Sequence, residues 1–279
     1  MVDITSDEIM VVCIARQIRD GETVVQGLAT PLVAAGFLLA RATHAPNLYF
    51  ASAIGQGICR YPAPLGLTRV ESQWLDRVLA NASFVVVAAD FLPSLKPKEF
   101  FRPGQIDPAG NFNNVAFGKD FFRSGQWQQQ SRPRLRLPGT GGIPDVTTYL
   151  DNIYLYVPRH SRVTFVSQID VRSGLGHSQE RTRGAGPRYL VSDLGQFDFM
   201  DGCMRLVSYH KGVSLDQIQS RTGFELEIAA DVHETPMPTP QELRLLREEI
   251  DPFGIRRLEL LSGGARRELL HQIVAMEMV

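Results

Sequence analysis

Cysteine is scarce in this chain. Only Cys13, Cys59 and Cys203 occur among 279 residues, an odd number with no CxxC pair. That speaks against a disulfide framework and a structural zinc site, and it fits a reducing cytoplasm, the location expected here. Long apolar runs are also missing. The longest, Leu32 to Ala40 with Gly36 inside it, falls far short of the roughly 20 residues a membrane span requires. Asp3, Asp7, Glu8 and Asp20 near the start do not suit a signal peptide. An excess of charge of one sign is absent, with 29 Lys+Arg against 30 Asp+Glu and a net charge of -1. No basic field exists to hold a nucleic-acid backbone, so neither nucleic acid nor membrane is an expected partner. The dinucleotide loop GxGxxG, the phosphate loop ending in GK[ST] and the GxSxG elbow do not occur. The six histidines, His44, His160, His177, His210, His233 and His271, lack partners at metal-ligand spacing, so no metal is expected.

What remains has the make-up of a globular protein, 44% hydrophobic and 21% charged. Thr5 and Glu8 form a capping box before Met10, Cys13, Ile14 and Ile18, which recur at helical spacing until Gly21. Thr23 to Gly27 is β-branched and predicts a strand. Thr30-Pro31 is an N-cap and N1 pair, so a helix is predicted from Pro31 to about Ala42. Asn47 to Ala51 predicts a second strand. Strand, turn, helix and strand in this order imply a parallel sheet. A helix is predicted over Gln73 to Asn81, and a doubly buried strand over Ser83 to Ala89. Further strands are predicted at Asn152 to Val157, Arg162 to Val166, Arg188 to Val191 and Met204 to Tyr209. Ser214 to Gln219 and Pro240 to Glu249 read as helices. The stretch with Arg123, Arg132, Arg134 and Arg136 reads as an exposed loop. The end, from Arg256 to Val279, mixes basic and apolar residues and suits either an extension packed on a partner or an ordinary surface helix.

Three segments carry candidate chemistry. The turn Gly27 to Pro31 would offer backbone N–H groups to an anion or an acyl oxygen, or would simply join strand to helix. Gly139, Gly141 and Gly142 lie in a loop bracketed by Pro138 and Pro144, where backbone N–H groups can form a nest for an oxyanion or a phosphate. Gln105, Asn111 and Asn113 flank an Asp107-Pro108-Ala109-Gly110 turn. Their amides would line a polar pocket or satisfy the backbone of a β-hairpin. Cys59 is a candidate nucleophile, against the commoner role of a buried inert thiol.

The ordered set of segments resembles the B subunit of glutaconate CoA-transferase, within the family I CoA-transferases. It comprises Ala15 to Glu22 (A-R-x-x-x-D-G-E), Gly27 with Thr30-Pro31, and Ala40 to Leu48 with its His44-Ala45-Pro46. Gln105 to Asp107, Gly110 to Asn113, Arg136 to Gly142, Leu194 to Phe199, Gly212-Val213 and Thr222 to Phe224 complete it. The resemblance covers the chain to about Pro252. It implies one domain over 1–252 and a C-terminal helical extension over 253–279. It also implies an α/β fold, an open and mostly parallel sheet with helices on both faces, of the CoA-transferase (NagB/RpiA-like) type. Such B chains pair with an A-type subunit, usually as two A and two B chains, with the active site at their interface. CoA enters as part of the substrate, and no bound cofactor is implied.

Family transferases attack the thioester with a glutamate that, in glutaconate-type enzymes, sits on the B subunit at the end of the strand that follows H-A-P. Here that run reads Phe50-Ala51-Ser52-Ala53, so Ala51 stands at the glutamate position with Ser52 beside it. A methyl group cannot attack a thioester, and covalent carboxylate catalysis from this position is lost. Glu71 lies 20 residues on, with nothing to place it there. The Leu194 to Phe199 run and Thr239 to Arg244 look most like CoA-transferase-like hydrolases that open the last ring of steroid-derived acyl-CoAs. The implied activity is therefore hydrolytic C–C cleavage of a cyclic keto acyl-CoA, with decarboxylation, genuine CoA transfer and a non-catalytic scaffolding role as alternatives. A carboxylate on the partner would act as base, the glycine nest with Gly27 would hold the oxyanion, and Arg132, Arg134 and Arg136 would steer the CoA phosphates.

Overall fold

The computed structural model describes residues 3–27, 30–52, 56–68, 76–118 and 133–278. They form two compact units, Met1–Phe100 with Pro236–Val279, and Phe101–Thr235.

The first unit opens with helix α1 (Ser6–Arg16), capped as its sequence predicts: Thr5 N–H donates to Glu8 Oε2 at 3.0 Å, and the Thr5 side chain accepts from the third helical N–H. Strand β1 (Thr23–Gln26) follows, then helix α2 (Pro31–Thr43) and strand β2 (Tyr49–Ser52). α2 is buried nearly all round, including Leu32, Val33, Ala35, Phe37 and Leu39. It packs on α1 through Gly36, where a Cβ would lie 2.5 Å from Ile14 Cγ2, so only glycine lets the two helices approach. β3 (Gly57–Cys59), β4 (Val78–Asn81) and β5 (Lys98–Phe101) complete the strands, in the order β5-β1-β2-β3-β4. β1 runs parallel to β2 and β5, while β3 and β4 add antiparallel neighbours. The parallel core implied by strand–helix–strand order is present, extended into a mixed sheet.

Two expectations fail in this unit. Val78–Asn81, expected to end a helix, is the edge strand β4, with Leu79 62% exposed. Gln73 itself lies outside the described residues. Ser83 to Ala89, expected as a strand, is a helical turn Phe84–Val86 leading into a π-helical turn Val87–Phe91. Ser83 explains the difference. Its Oγ accepts from Val86 N–H at 3.4 Å and its carbonyl from Val87 N–H at 3.0 Å. A local cap outweighs the β preference of the valines.

The second unit begins with two small hairpins, β6 (Gln105–Ile106) with β7 (Phe112–Asn113), and β8 (Ala116–Phe117) with β9 (Leu135–Arg136). Helix α3 (Ile143–Tyr149) leads to β10 (Ile153–Val157), buried throughout. Its neighbours are β11 (Pro187–Ser192), β12 (Gly195–Met200) and β13 (Cys203–Tyr209), then helix α4 (Leu215–Arg221), capped by Ser214, and β14 (Glu227–Glu234). The order is β14-β13-β12-β11-β10, with β10–β11 and β13–β14 parallel and the middle pairs antiparallel. Arg162 to Val166, expected as a strand, has only isolated bridges at Phe165 and Val166.

The C-terminal segment returns to the first unit. Helix α5 (Pro240–Arg244) carries a second capping box, Thr239 with Glu242. Beyond it, Arg256 is buried and donates to Asp7 Oδ2 at 2.7 Å, Asp251 Oδ2 at 2.9 Å and Glu8 Oε1 at 3.2 Å. Arg247 adds a bidentate bond to Glu8 at 2.6 and 2.7 Å. Burial alone would raise the Glu8 carboxyl, but Arg247, the Thr5 N–H and Arg256 bring it below its ordinary value. Helix α6 (Gly263–Glu277) contributes Leu269 and Ile273 to a cluster with Ile255 and Leu258. At its end, Glu277 accepts from Leu67 N–H, Thr68 N–H and Thr68 Oγ1, each at 2.7 Å. Among the described residues no helix is long and apolar enough to cross a membrane.

Candidate active site

Parallel strands direct loops to their carboxyl ends, and the sites of open α/β sheets lie there. In the first unit, β1 and β2 end level with each other: Val25 pairs with Ala51 and Gln26 with Ser52. Ala51 and Ser52 are both buried. Gly27, one residue beyond β1, is half-buried; Leu28, Ala29 and the run Ala53 to Gly55 lie outside the described residues, as does Glu71.

The expected anion seat at the start of α2 is already occupied by the protein itself. Leu32 N–H donates to Glu259 Oε1 at 2.9 Å, so a carboxylate from the C-terminal segment caps the helix. Cys59, opposite Phe50 on β3, is fully buried. Burial pushes its thiol up to about 12, against the pull of Arg41 and Arg77. It stays protonated at neutral pH and is the inert thiol of the two readings.

Sequence reasoning passed over one titratable group in this region. Glu99 on β5 pairs with Val25 of β1. It is 9% exposed, its Oε2 has no hydrogen-bond partner among the described residues, and burial raises its carboxyl to about 8. It is therefore a neutral acid at pH 7. The signal available in the sequence was slight: a charged pair, Lys98-Glu99, running straight into Phe100-Phe101.

In the second unit, the three amides hold the hairpin together. Asn113 Nδ2 donates to Gln105 Oε1 and to the Ala116 carbonyl, both at 2.7 Å, while its Oδ1 accepts from Val115 and Ala116 N–H groups. Asn111 Nδ2 donates to Asp107, and its Oδ1 accepts from Gly176 N–H at 2.9 Å. Gln105 also bonds Asp170 through both ends of its amide. The hairpin alternative describes Asn111 and Asn113. Gln105 borders a cleft of about 250 Å³ shared with Arg162, Ser167, Gln168 and Asp170.

The glycine loop is built on left-handed backbone. Gly139, Gly141 and Gly142 have φ of 105°, 50° and 91°, and a Cβ at any of them would meet nothing within 4 Å. Conformation, not space, demands glycine there. Gly139 N–H donates to the Asn114 carbonyl at 2.9 Å, so it is not a spare donor. Among the described residues no hydrogen bond engages the N–H groups of Thr140, Gly141 and Gly142. The guanidinium of Arg181 clamps the following helix, donating to the carbonyls of Thr147, Thr148, Leu175 and Gly176. Arg134 and Arg136 are exposed, and Arg123 and Arg132 lie outside the described residues.

The buried histidines are structural. His160 bonds Ser192 Oγ and Thr222 Oγ1 and stacks on Phe165, and His210 bonds Thr235 Oγ1 and the Ser192 carbonyl. Burial lowers their pKa values to about 3 and about 4, so both are neutral. Among the described residues no group of three or more His, Cys, Asp or Glu is arranged to hold a metal ion.

No protein-family model matches the chain. Curated relatives do. The glutaconate CoA-transferase B chain of Acidaminococcus fermentans is 29% identical over 263 residues, covering 89% of this chain and 93% of that one. The cholesterol ring-cleaving hydrolase IpdB subunit of Mycobacterium tuberculosis is 30% identical over 275 residues, covering 92% of this chain and 99% of that one. The chain belongs to the CoA-transferase B-subunit family. Structure agrees with sequence for this CoA-transferase family member: the decarboxylase AibA/AibB superposes with a TM-score of 0.76 and 29% identity over 91% of this chain and 98% of that one. The α/β architecture implied by the resemblance is the one observed.

Proposed function

We propose that this chain is the B-type subunit of a heteromeric, CoA-transferase-like enzyme that acts on an acyl-CoA thioester together with an A-type subunit, as two A and two B chains. CoA enters with the substrate, and no resident cofactor is required. The reaction is hydrolytic opening of a C–C bond in a cyclic keto acyl-CoA. Three thiols without disulfide partners suit work in the cytoplasm.

One observation carries this reading. At the end of β2, where the family resemblance puts the glutamate that attacks the thioester, this chain has the buried methyl group of Ala51. Without that nucleophile no glutamyl-CoA forms here, and the thioester must survive while another bond breaks. Water adds to the ring ketone under a carboxylate base of the A-type subunit, the tetrahedral intermediate collapses, and the thioester side leaves as an enolate. The N–H groups of Gly141 and Gly142, unengaged among the described residues, are the donors assigned to a developing oxyanion. A ring-cleaving hydrolase subunit among the relatives supports this chemistry.

Loss of CO2 from an unsaturated dicarboxylyl-CoA is the second reading, supported by the likeness to AibA/AibB. It shares the same logic, with C–C cleavage, an enolate and an intact thioester.

The test is to express the chain with its A-type partner, incubate with acyl-CoA, and treat with hydroxylamine or borohydride. The complex should remain active, since no enzyme-bound thioester exists to be trapped. Inactivation that depends on prior acyl-CoA would restore genuine CoA transfer. Full activity of the A-type subunit without this chain's glycine loop would reduce this subunit to a scaffold.

A further inference from the structure

Both C–C cleavage readings leave an enolate that needs a proton, and the polar groups of the hairpin are already engaged. Glu99 is not. β5 and β2 flank β1 in register, Glu99 pairing with Val25 and Val25 with Ala51. Paired residues of neighbouring strands project to the same face of a sheet. The residues on either side of Glu99 face the other way. Lys98 reaches the Gln17 carbonyl at the end of α1 and Glu22 just before β1, and the Phe100 ring lies 5.9 Å from Phe37 of α2. Glu99, Val25 and Ala51 therefore form one row on the face turned away from those contacts. Two strand spacings put the Glu99 and Ala51 backbones about 10 Å apart. Val25 stands between them in that row.

Resting on the reading above, we infer that Glu99 is the proton donor of this site: its buried carboxyl, with one oxygen unpartnered among the described residues, lies on the sheet face that carries Ala51 and protonates the enolate released by C–C cleavage. Burial keeps it in the acid form needed, with no charged neighbour contributing to its raised pKa of about 8. The adjacent Lys98 is paired with Glu22 on the opposite face at 2.8 Å. In the step itself, water adds across the ring ketone and the C–C bond to the α-carbon breaks, giving a carboxylic acid and a thioester enolate. The Glu99 O–H bond then breaks, its proton goes to the α-carbon, and the Glu99 carboxylate recovers a proton from the one that water released. One water is consumed and no oxidant or reductant is needed.

The variant is Glu99→Gln, measured in the complex with the A-type subunit. An amide has nearly the shape of the protonated acid but cannot give up a proton in the step, so assembly and folding should persist. Two reactions are followed. The first is ring opening of 2-oxocyclohexanecarbonyl-CoA. The second is exchange of the α-hydrogens of butyryl-CoA with D2O, which needs a proton shuttle but no C–C cleavage. Both should fall about 100- to 10,000-fold, the range typical of a general acid or base. In the wild type, exchange should also lose its acid-dependent limb above pH of about 8, and the variant's residual rate should lack that limb. A wild-type complex that exchanges but opens no ring refutes the proposed reaction while leaving Glu99 as shuttle, provided the variant loses exchange. An assembled variant that matches wild type in both reactions, or a wild-type complex with no exchange at all, overturns the inference.

Discussion

β5 and the β6–β7 hairpin both bury polar side chains and treat them in opposite ways. Around the hairpin, Asn113 is completely buried with four hydrogen bonds, and its partner Gln105 is tied in turn to Asp170. On β5, Glu99 is buried with an oxygen that meets no donor among the described residues. A buried polar atom without a bond costs on the order of 1–3 kcal/mol. A region that only has to hold shape satisfies its polar atoms, as the hairpin does. A region that leaves one unsatisfied holds a reactive group at the expense of stability, which is where chemistry is to be sought. The comparison also sorts the candidate residues: Asn111 and Asn113 are tied into the scaffold of the hairpin, Gln105 joins that scaffold and borders a cleft, and Glu99 keeps an unpartnered carboxyl oxygen among the described residues.

The comparison is sharpened most by pH. A carboxyl in the unfolded chain ionises near about 4.3, whereas Glu99 in the folded protein does so at about 8. Between these values the folded state holds the extra proton. The stability it contributes is whole below the unfolded pKa and is lost as pH rises through the folded one. The loss is about 1.4 kcal/mol per pH unit, or about 4 kcal/mol from pH of about 5 to about 8. Glu99→Gln lacks this term, so urea unfolding should show the variant gaining on wild type steadily over that window. Parallel stability curves would mean that Glu99 ionises normally. His160 and His210 act at the acid end with opposite sign. Their folded pKa values are depressed, so their contribution is lost as pH falls below about 6.5, and it cancels between wild type and variant.

The hairpin side is broken by Asn113→Ala. Removing the amide strands the Ala116 carbonyl and two N–H groups and leaves Gln105 Oε1 with only its Asp170 N–H donor, for an expected loss of about 3 kcal/mol. Thermal unfolding would show it directly. A loss below about 1 kcal/mol would place the hairpin among loosely held surface loops.

The smallest effect is expected at Gly141→Ala. The added methyl meets nothing, but φ of 50° places a left-handed strain of about 1 kcal/mol on alanine. Stability should fall by that amount with the Gly141 N–H retained. A much larger fall would mean that this loop is packed more tightly than its open surroundings suggest.

Local signals were legible from the residues themselves. The capping boxes at Thr5 with Glu8 and Thr239 with Glu242, the Pro31 start of α2 and the Ser214 cap of α4 all involve partners within one helical turn. The family order, spread over the chain, was equally readable. The run from Ser83 to Ala89 departs from its predicted strand because its valines favour strand while a single serine cap decides for helix. The role of Arg256 was hidden because its partners Asp7 and Glu8 stand about 250 positions away. So was that of Glu259, whose carboxylate fills the α2 N-terminus that looked free.

By itself, the sequence determined the helix starts, the strand–helix–strand core and the membership of a CoA-transferase lineage. Each of these is a matter of residue type at short range or in fixed order. Which polar groups are satisfied was decided only by the tertiary structure. Hydrogen bonding and desolvation depend on what the fold brings within a few ångströms, and that gathers Asn113, Gln105 and Asp170 into one saturated cluster while setting Glu99 in line with Ala51 and withholding a partner from its carboxyl.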